Sequence, residues 1–260
     1  MHLDTDNLEE HNFAKWQLEV GKGGHTDESA NIKLSDHFKC PENTVTSLIS
    51  TIYPGIYDQA HHSDQYFSDR VILASKNDDV DDLNHHILHK FPGQEQVFHS
   101  ADSIADNENC ELLYPPEYLN SINCSGLPLA HVALKVGAPV MVLRNLNVAG
   151  GVCNGTRGIL TRLRNRVLEI HLITGDNAGD KVFTPQMQLH PIQGQLPFTL
   201  SQLQFPVHLC FSILINKAQG QSVQHVGLDF RSPVFTHGQF YVAISQVKSV
   251  HNIKAIWPSV

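Results

Sequence analysis

The sequence predicts an α/β fold, a parallel sheet with helices that is interrupted by a small antiparallel β insert, and three observations predict it. Short apolar runs alternate with amphipathic helical stretches toward both ends of the chain. Between them lie short strand-like runs at close spacing, separated by Asn154-Gly155, Arg164-Asn165 and Gly175-Asp176-Asn177. Finally, the apolar run Phe211–Ile215 stops abruptly at Asn216-Lys217-Ala218-Gln219-Gly220-Gln221-Ser222. A strand that ends in a lysine, a glycine and side-chain amides is how a sheet delivers charge and backbone N–H groups to a ligand at its carboxyl edge.

Taken in order, Asn7 to Val20 carries Leu8, Phe13, Trp16 and Val20 at helical intervals behind Asp6, a residue suited to capping, and before Gly21, Gly23 and Gly24. Thr44 to Ile52 reads as a second helix. Val71 to Ala74 is a strand, Ser75-Lys76-Asn77 a polar turn, and Asp78 to His89 a helix with acidic residues in the first turn, where the helix dipole favours them. Lys76 and Asn77 are therefore candidates for ligand contact or for plain capping. Pro92 to Asn123 is irregular and acidic and reads as a long surface connection. Strands follow at 139–144, 156–163, 167–173 and 181–184, then one at 207–215, one at 226–230, a helix from Gly238, and a last strand at 253–257.

With 41% hydrophobic and 17% charged residues, the chain has the composition of a packed globular protein. Its net charge of −8 conceals a division: residues 1–130 hold 7 Lys+Arg against 22 Asp+Glu, and residues 131–260 hold 11 against 4. A basic half suits phosphate contacts or docking on an acidic face of the same fold. Five cysteines without a C-x-x-C pair indicate neither a zinc ribbon nor a disulfide framework. His85, His86 and His89 share part of a helix face, but no second constellation of defined spacing accompanies them, so no metal is expected. The longest apolar run, Ala138 to Leu143, is too short for a bilayer, and no targeting signal is seen, so the expected location is nuclear or cytoplasmic.

Several segments together resemble, in order, the DNA helicases of the Pif family in the version carried by Helitron transposons. They are Arg70 to Asn84; Ser125-Gly126-Leu127-Pro128; Leu134 to Leu146; Cys153-Asn154-Gly155-Thr156-Arg157; Gln204-Phe205-Pro206-Val207; Phe211 to Ser222; and Gly238 to Val247. The resemblance implies the second RecA-like motor domain, over residues 1–118 and 200–260, with a small DNA-gripping β insert at 119–199. It implies that Asn216, Lys217, Gln219, Gly220 and Gln221 form a motif that contacts DNA and senses nucleotide. Tyr241, Ser245 and Gln246 fall in the last helicase motif, and Lys76, Asn77, Arg144, Asn154 and Arg157 are possible DNA contacts. The intact family uses ATP and Mg, and its partner is DNA, here expected single-stranded.

The departures matter as much. A phosphate-cradling loop needs G-x-x-x-x-G-K-[ST], whose backbone wraps phosphate while Lys and Ser/Thr meet phosphate and magnesium. Around the Gly21-Lys22 pair, Trp16 and Gly23 stand where that pattern needs glycine and a hydroxyl. Met1-His2-Leu3 matches the end of a first-domain motif, so the chain is expected to begin where a first RecA-like domain ends. The finger arginine expected after Ser245 is Gln246, a neutral amide that cannot stabilise transferring phosphoryl charge. The family also has arginine at His2, Gln186 and His208 and basic residues near Ser201 to Leu203. Arginine changing to histidine or glutamine is the product of a single transition, which suggests decay. The expectation is a DNA-contacting helicase part with no catalytic residue and no cofactor of its own. The alternatives are a salt-sensitive single-stranded DNA-binding or partner-binding remnant, and an inert pseudogene product.

Overall fold

The computed structural model describes residues 8–24, 32, 34, 36–58, 62–104, 114–124, 126–192, 194–221, 223–234 and 237–258. In chain order the helices are α1 (Leu8–Gly21), α2 (Val45–Ile52), α3 (Asp64–Ser68), α4 (Asn77–Lys90), α5 (Pro116–Asn120) and α6 (His237–Ile244). The first strands are β1 (Arg70–Ala74), β2 (Gln96–His99), β3 (Ala101–Ile104), β4 (His131–Leu134), β5 (Pro139–Val142), β6 (Arg157–Arg164) and β7 (Val167–Leu172). They are followed by β8 (Lys181–Pro185), β9 (Met187–Leu189), β10 (Leu200–Gln204), β11 (Val207–Leu209), β12 (Ser212–Leu214), β13 (His225–Asp229) and β14 (Ile253–Ile256).

The chain forms two compact units, one from Met1–Lys90 with Phe211–Val260 and one from Phe91–Cys210. The first is built on a four-stranded sheet in the order β12-β1-β13-β14, parallel throughout. Strands covered on both faces read as continuous apolar runs, and Val71, Ile72, Leu73 and Ala74 of β1 are accordingly buried without exposure. Helix α2 starts where Thr44, in extended backbone, accepts the Ser47 N–H with its side chain, and it buries Leu48, Ile49 and Ile52.

At the sheet margin, β12 pairs with β1 on one side only. The buried Asn84 amide of α4 meets its other side: the Ser212 N–H donates to Asn84 Oδ1 at 2.8 Å, and Asn84 Nδ2 donates to the Ser212 carbonyl at 3.0 Å. One residue earlier, the Phe211 carbonyl accepts from Ile72 N–H at 3.0 Å and from Tyr53 Oη at 2.7 Å. An edge strand's outward groups are a liability unless satisfied, and here an asparagine side chain satisfies them.

The second unit is antiparallel. It holds a five-stranded sheet, β11-β5-β6-β7-β8, a three-stranded sheet, β3-β10-β9, and the pair β2-β4. Its core includes Val140, Val142, Leu160, Leu168, Ile170 and Phe205.

Three expectations are corrected. The insert runs from Phe91 to Cys210 rather than from 119 to 199, because β2 and β3, at 96–104, pair with β4 and β10 of the same unit. For the same reason 92–123 is not simply a surface connection, although 105–113 lie outside the described residues. The single strand expected at 207–215 is two strands in two sheets: β11 pairs with β5, and β12 with β1. Both halves carry apolar residues, Val207 and Leu209 in one and Ile213 and Leu214 in the other, so hydrophobic pattern carries no mark of the switch.

Replacing Asn84 by Ala orphans the buried Ser212 N–H and C=O. The expected loss is about 1–3 kcal/mol in denaturant unfolding, with the midpoint shifted and the slope kept; an unchanged midpoint would contradict the edge-capping role.

Candidate nucleic-acid interface

Because the first unit's sheet is all parallel, the carboxyl ends of its strands lie along one edge, and the chain leaves each strand there in a different way. After β1, Ser75 is buried and its Oγ donates to the Ser232 carbonyl at 3.1 Å, while Lys76 and Asn77 are exposed. Asn77 opens α4, and the Lys76 carbonyl accepts the Val80 N–H at 3.2 Å, closing the first helical turn. The chain after β12 does not enter an α-helix. It makes a single 3₁₀ turn, Ile215–Lys217.

In that turn Ile215 and Ala218 are buried anchors, whereas Asn216, Lys217, Gln219 and Gly220 are exposed. Gly220 has φ of +83°, a conformation that side chains with a Cβ avoid, although open space surrounds it. The requirement is conformational rather than steric. Gln221 braces the segment: its N–H donates to Ala218 O at 2.9 Å and its Nε2 to Lys217 O at 3.3 Å. Ser222 lies outside the described residues. Lys217 reaches solvent, yet desolvation by the surrounding protein holds its pKa below the ordinary lysine value, with Asp81 of α4 pulling the other way. Its ammonium is thus a cation that gains from an additional anion.

Arg231, two residues beyond β13, was not singled out from sequence. Its guanidinium forks onto both Asp229 oxygens, Nε at 3.1 and 3.0 Å and Nη2 at 2.8 Å, and both Nη atoms reach Asp82 at 3.2 Å. Asp229 is wholly buried while Arg231 keeps 37% of its side-chain exposure. The bidentate pairing holds the Arg231 pKa above its usual value, first through the hydrogen bonds to Asp229. The available signal was an aspartate closing an apolar strand, since a buried carboxylate demands a partner.

The second motif packs on the first, α6 against the 3₁₀ turn. Phe240, Ala243 and Ile244 are buried. Tyr241 lies over α1 so closely that a Cβ at Gly21 would sit 2.8 Å from its ring. Gly21-Lys22 therefore marks the end of α1, with the Lys22 N–H bonded to Leu18 O and Glu19 O. At the end of α6, the buried Gln17 Nε2 donates to Ile244 O at 2.6 Å and to Val247 O at 3.3 Å. Ser245 Oγ and Gln246 Nε2 both donate to Val242 O, at 3.0 and 2.8 Å. The residue standing where a finger arginine was expected is folded back as a helix cap.

The sites expected in the β unit divide. Asn154 is exposed on a turn that brings the chain into β6; its N–H donates to Asn145 Oδ1 at 2.9 Å, and the Cys153 N–H donates to Thr156 Oγ1 at 3.1 Å. Arg144 is half-buried, with Nη1 donating to Leu143 O at 3.3 Å and Nη2 to His190 O at 3.0 Å, so its guanidinium is partly engaged in holding loops. Arg157 is corrected outright. It has no solvent exposure and lies against Cys210, whose thiol burial pushes up and the guanidinium pulls down. A guanidinium sealed in the core is not a surface contact.

Among the described residues no group of three His, Cys, Asp or Glu side chains converges as metal ligands. No helix of the described residues is long and apolar enough to cross a membrane. Met1-His2-Leu3 falls outside the described residues, as does Cys110.

Residues 117–163 match the family model described as DNA helicase Pif1, 2B domain. The chain is 28% identical over 184 residues to the ATP-dependent DNA helicase PIF1 of Xenopus laevis, covering 71% of this chain and 27% of that protein. It is 24% identical over 248 residues to the ATP-dependent DNA helicase Pif1 of Campylobacter jejuni, covering 86% of this chain and 53% of that one. The chain thus spans about a quarter to a half of the length of these relatives. Among solved structures it superposes on Pif1 helicase from Candida albicans with a TM-score of 0.58 at 20% identity, covering 95% of this chain and 53% of that chain. Pif1 helicase from Bacteroides in complex with ADP-AlF3 and ssDNA gives 0.56 at 20%, covering 98% and 50%. These likenesses establish the RecA-like α/β fold.

Replacing Arg231 by Ala leaves Asp229 buried without its bidentate partner. Thermal unfolding should register a loss of about 2–3 kcal/mol, below the full cost of a broken buried pair because Arg231 is partly in water. A neutral effect would show that the pair does not order the sheet edge.

Proposed function

We propose that the chain is a C-terminal part of a Pif-family DNA helicase, the proteins it is similar to in sequence and fold, and that it binds single-stranded DNA at the carboxyl edge of its parallel sheet. The carrying observation is the convergence at that edge of Lys76 and Asn77 with Asn216, Lys217, Gln219 and Gly220, all exposed and all held by short turns fixed to buried anchors. Lys217 and Lys76 neutralise phosphate, Asn77, Asn216 and Gln219 donate to phosphate or sugar, and Gly220 lets backbone come close. Solved relatives carry single-stranded DNA by their descriptions, which makes it the first ligand to test.

The same reading assigns this chain no ATP hydrolysis by itself, and no chemical step is routed through ATP or Mg. Its sequence has no G-x-x-x-x-G-K-[ST] loop, and Gln246 offers a nucleotide a neutral amide that is already bonded to Val242 O. The Helitron-type assignment and its decay rest on the quoted motifs and on the arginine-to-histidine and arginine-to-glutamine pattern. A first RecA-like domain would be the partner that completes a motor.

Labelled single-stranded DNA titrated against the purified chain at two salt concentrations should bind more weakly at the higher one, and Lys217→Ala should weaken binding and flatten the salt dependence by about 0.7. Salt-independent binding would point to a protein-partner surface, and no binding to an inert product. ATP turnover above background that Lys217→Ala abolishes would overturn the assignment of no hydrolysis.

A further inference from the structure

Helix α1 meets α6 through a residue that the pattern of α1 makes unusual. The inward face of α1 carries Phe13, Ala14, Gln17 and Val20, all of them buried. That is the spacing of an apolar stripe, and Gln17 stands in the middle of it, where a leucine would need no partner. A primary amide is tolerated there because its Nε2 donates twice, to Ile244 O at 2.6 Å and to Val247 O at 3.3 Å, across 227 and 230 residues of chain.

The two acceptors define how α6 ends. A helix leaves its last four carbonyls without intrahelical partners. In α6, Val242 O takes Ser245 Oγ and Gln246 Nε2, and Ile244 O, on the last helical residue, takes Gln17. By bridging Ile244 to Val247, one amide sets the direction in which the chain leaves the helix. One turn further along α1, Gly21 supplies a second fixed point, since a Cβ there would sit 2.8 Å from Cδ2 of Tyr241, in the middle of α6. With one contact at its middle and one at its end, α6 is held against both sliding and rolling on α1. Helix α6 in turn lies against the turn Ile215–Lys217, and Ala243 of the helix and Ala218 after the turn are both wholly buried.

We propose that Gln17 is a positioning residue for the turn at 215–217: by holding the end of α6 it fixes α6 against that turn and so keeps the Lys217 ammonium at the carboxyl edge of the sheet. A residue that served stability alone would not need to be polar, because an apolar side chain of similar volume fills the stripe without two acceptors to satisfy. What a directional pair of hydrogen bonds adds is a single position of one helix against another. The inference rests on the sheet-edge reading of DNA binding and adds to it a residue that acts only through α6.

Fluorescence anisotropy of the full chain with labelled oligothymidylate at several salt concentrations tests it, with unfolding midpoints measured in parallel. Gln17→Leu should lower the slope of log affinity against log salt by about 0.7, the value of one lost phosphate contact, and adding Lys217→Ala should lower it no further. Gln17→Glu supplies a pH readout that packing alone does not move. Protonated, the acid donates its O–H to Ile244 O; ionised, it sets a carboxylate against two carbonyl oxygens, and burial raises its pKa above the ordinary carboxylate range. Its affinity relative to wild type at the same pH should therefore fall as pH rises through that pKa. The ratio cancels the titration of groups both proteins share: Glu9, Glu10, His11, Lys15, Glu19 and Lys22 on α1, Tyr241 on α6, Lys248 and His251 beyond it, and Lys217. Should Gln17→Leu not fold, the Gln17→Glu series carries the test. A wild-type salt slope in folded Gln17→Leu, an additive loss in the double variant, or a ratio flat with pH would overturn the inference while weakened binding by Lys217→Ala leaves the sheet-edge reading standing. Wild-type binding by Lys217→Ala would overturn the reading on which it rests, and absence of any wild-type binding would overturn both.

Discussion

The candidate interface depends on how β12 is held. Among the described residues β12 pairs with β1 in the ladder, and Asn84 and Tyr53 hydrogen-bond Ser212 and Phe211. Three residues later the chain turns out as Asn216 and Lys217. Were the strand free to slip by one residue, Ile213 and Leu214 would exchange faces and the exposed lysine would be carried out of place. Asn84 lies on α4, the helix that begins at Asn77 and supplies Asp81 and Asp82 to Lys217 and Arg231. One helix therefore fixes the position of the edge strand and sets the charge of the edge.

That charge is finely divided. Arg231 is largely consumed by a buried aspartate, which makes it a structural strut with some residual exposure. Lys217 is in a different condition: burial of its stem holds its pKa below the ordinary lysine value, while Asp81 of α4 pulls it up. Phosphate contact draws its affinity from such incompletely compensated cations. The acidic first half of the chain, visible as 22 Asp+Glu against 7 Lys+Arg, restrains the basic residues at this edge through α4.

Much of this was legible before any coordinates. Apolar continuity marked β1 and β13, period 3.6 marked α1 and α2, acidic residues in the first turn marked α4, and Asn-Gly and Gly-Asp turns marked the antiparallel module. What was not legible has physical causes. The run from Val207 to Leu214 changes sheets at Cys210–Phe211, and apolar residues continue on both sides of the switch. Strands β2 and β3 are short and partly exposed, so they read as loop. Arg157 looked like a surface cation next to a turn; its burial beside Cys210 is set by strands distant in sequence.

The most direct test of where DNA lands is backbone hydrogen exchange of the full chain with and without oligothymidylate. Added protection is expected at the carboxyl edge, 75–77 and 215–221, with little change in α2 or β14. Protection confined to other segments, or none under conditions where the DNA is bound, would contradict it.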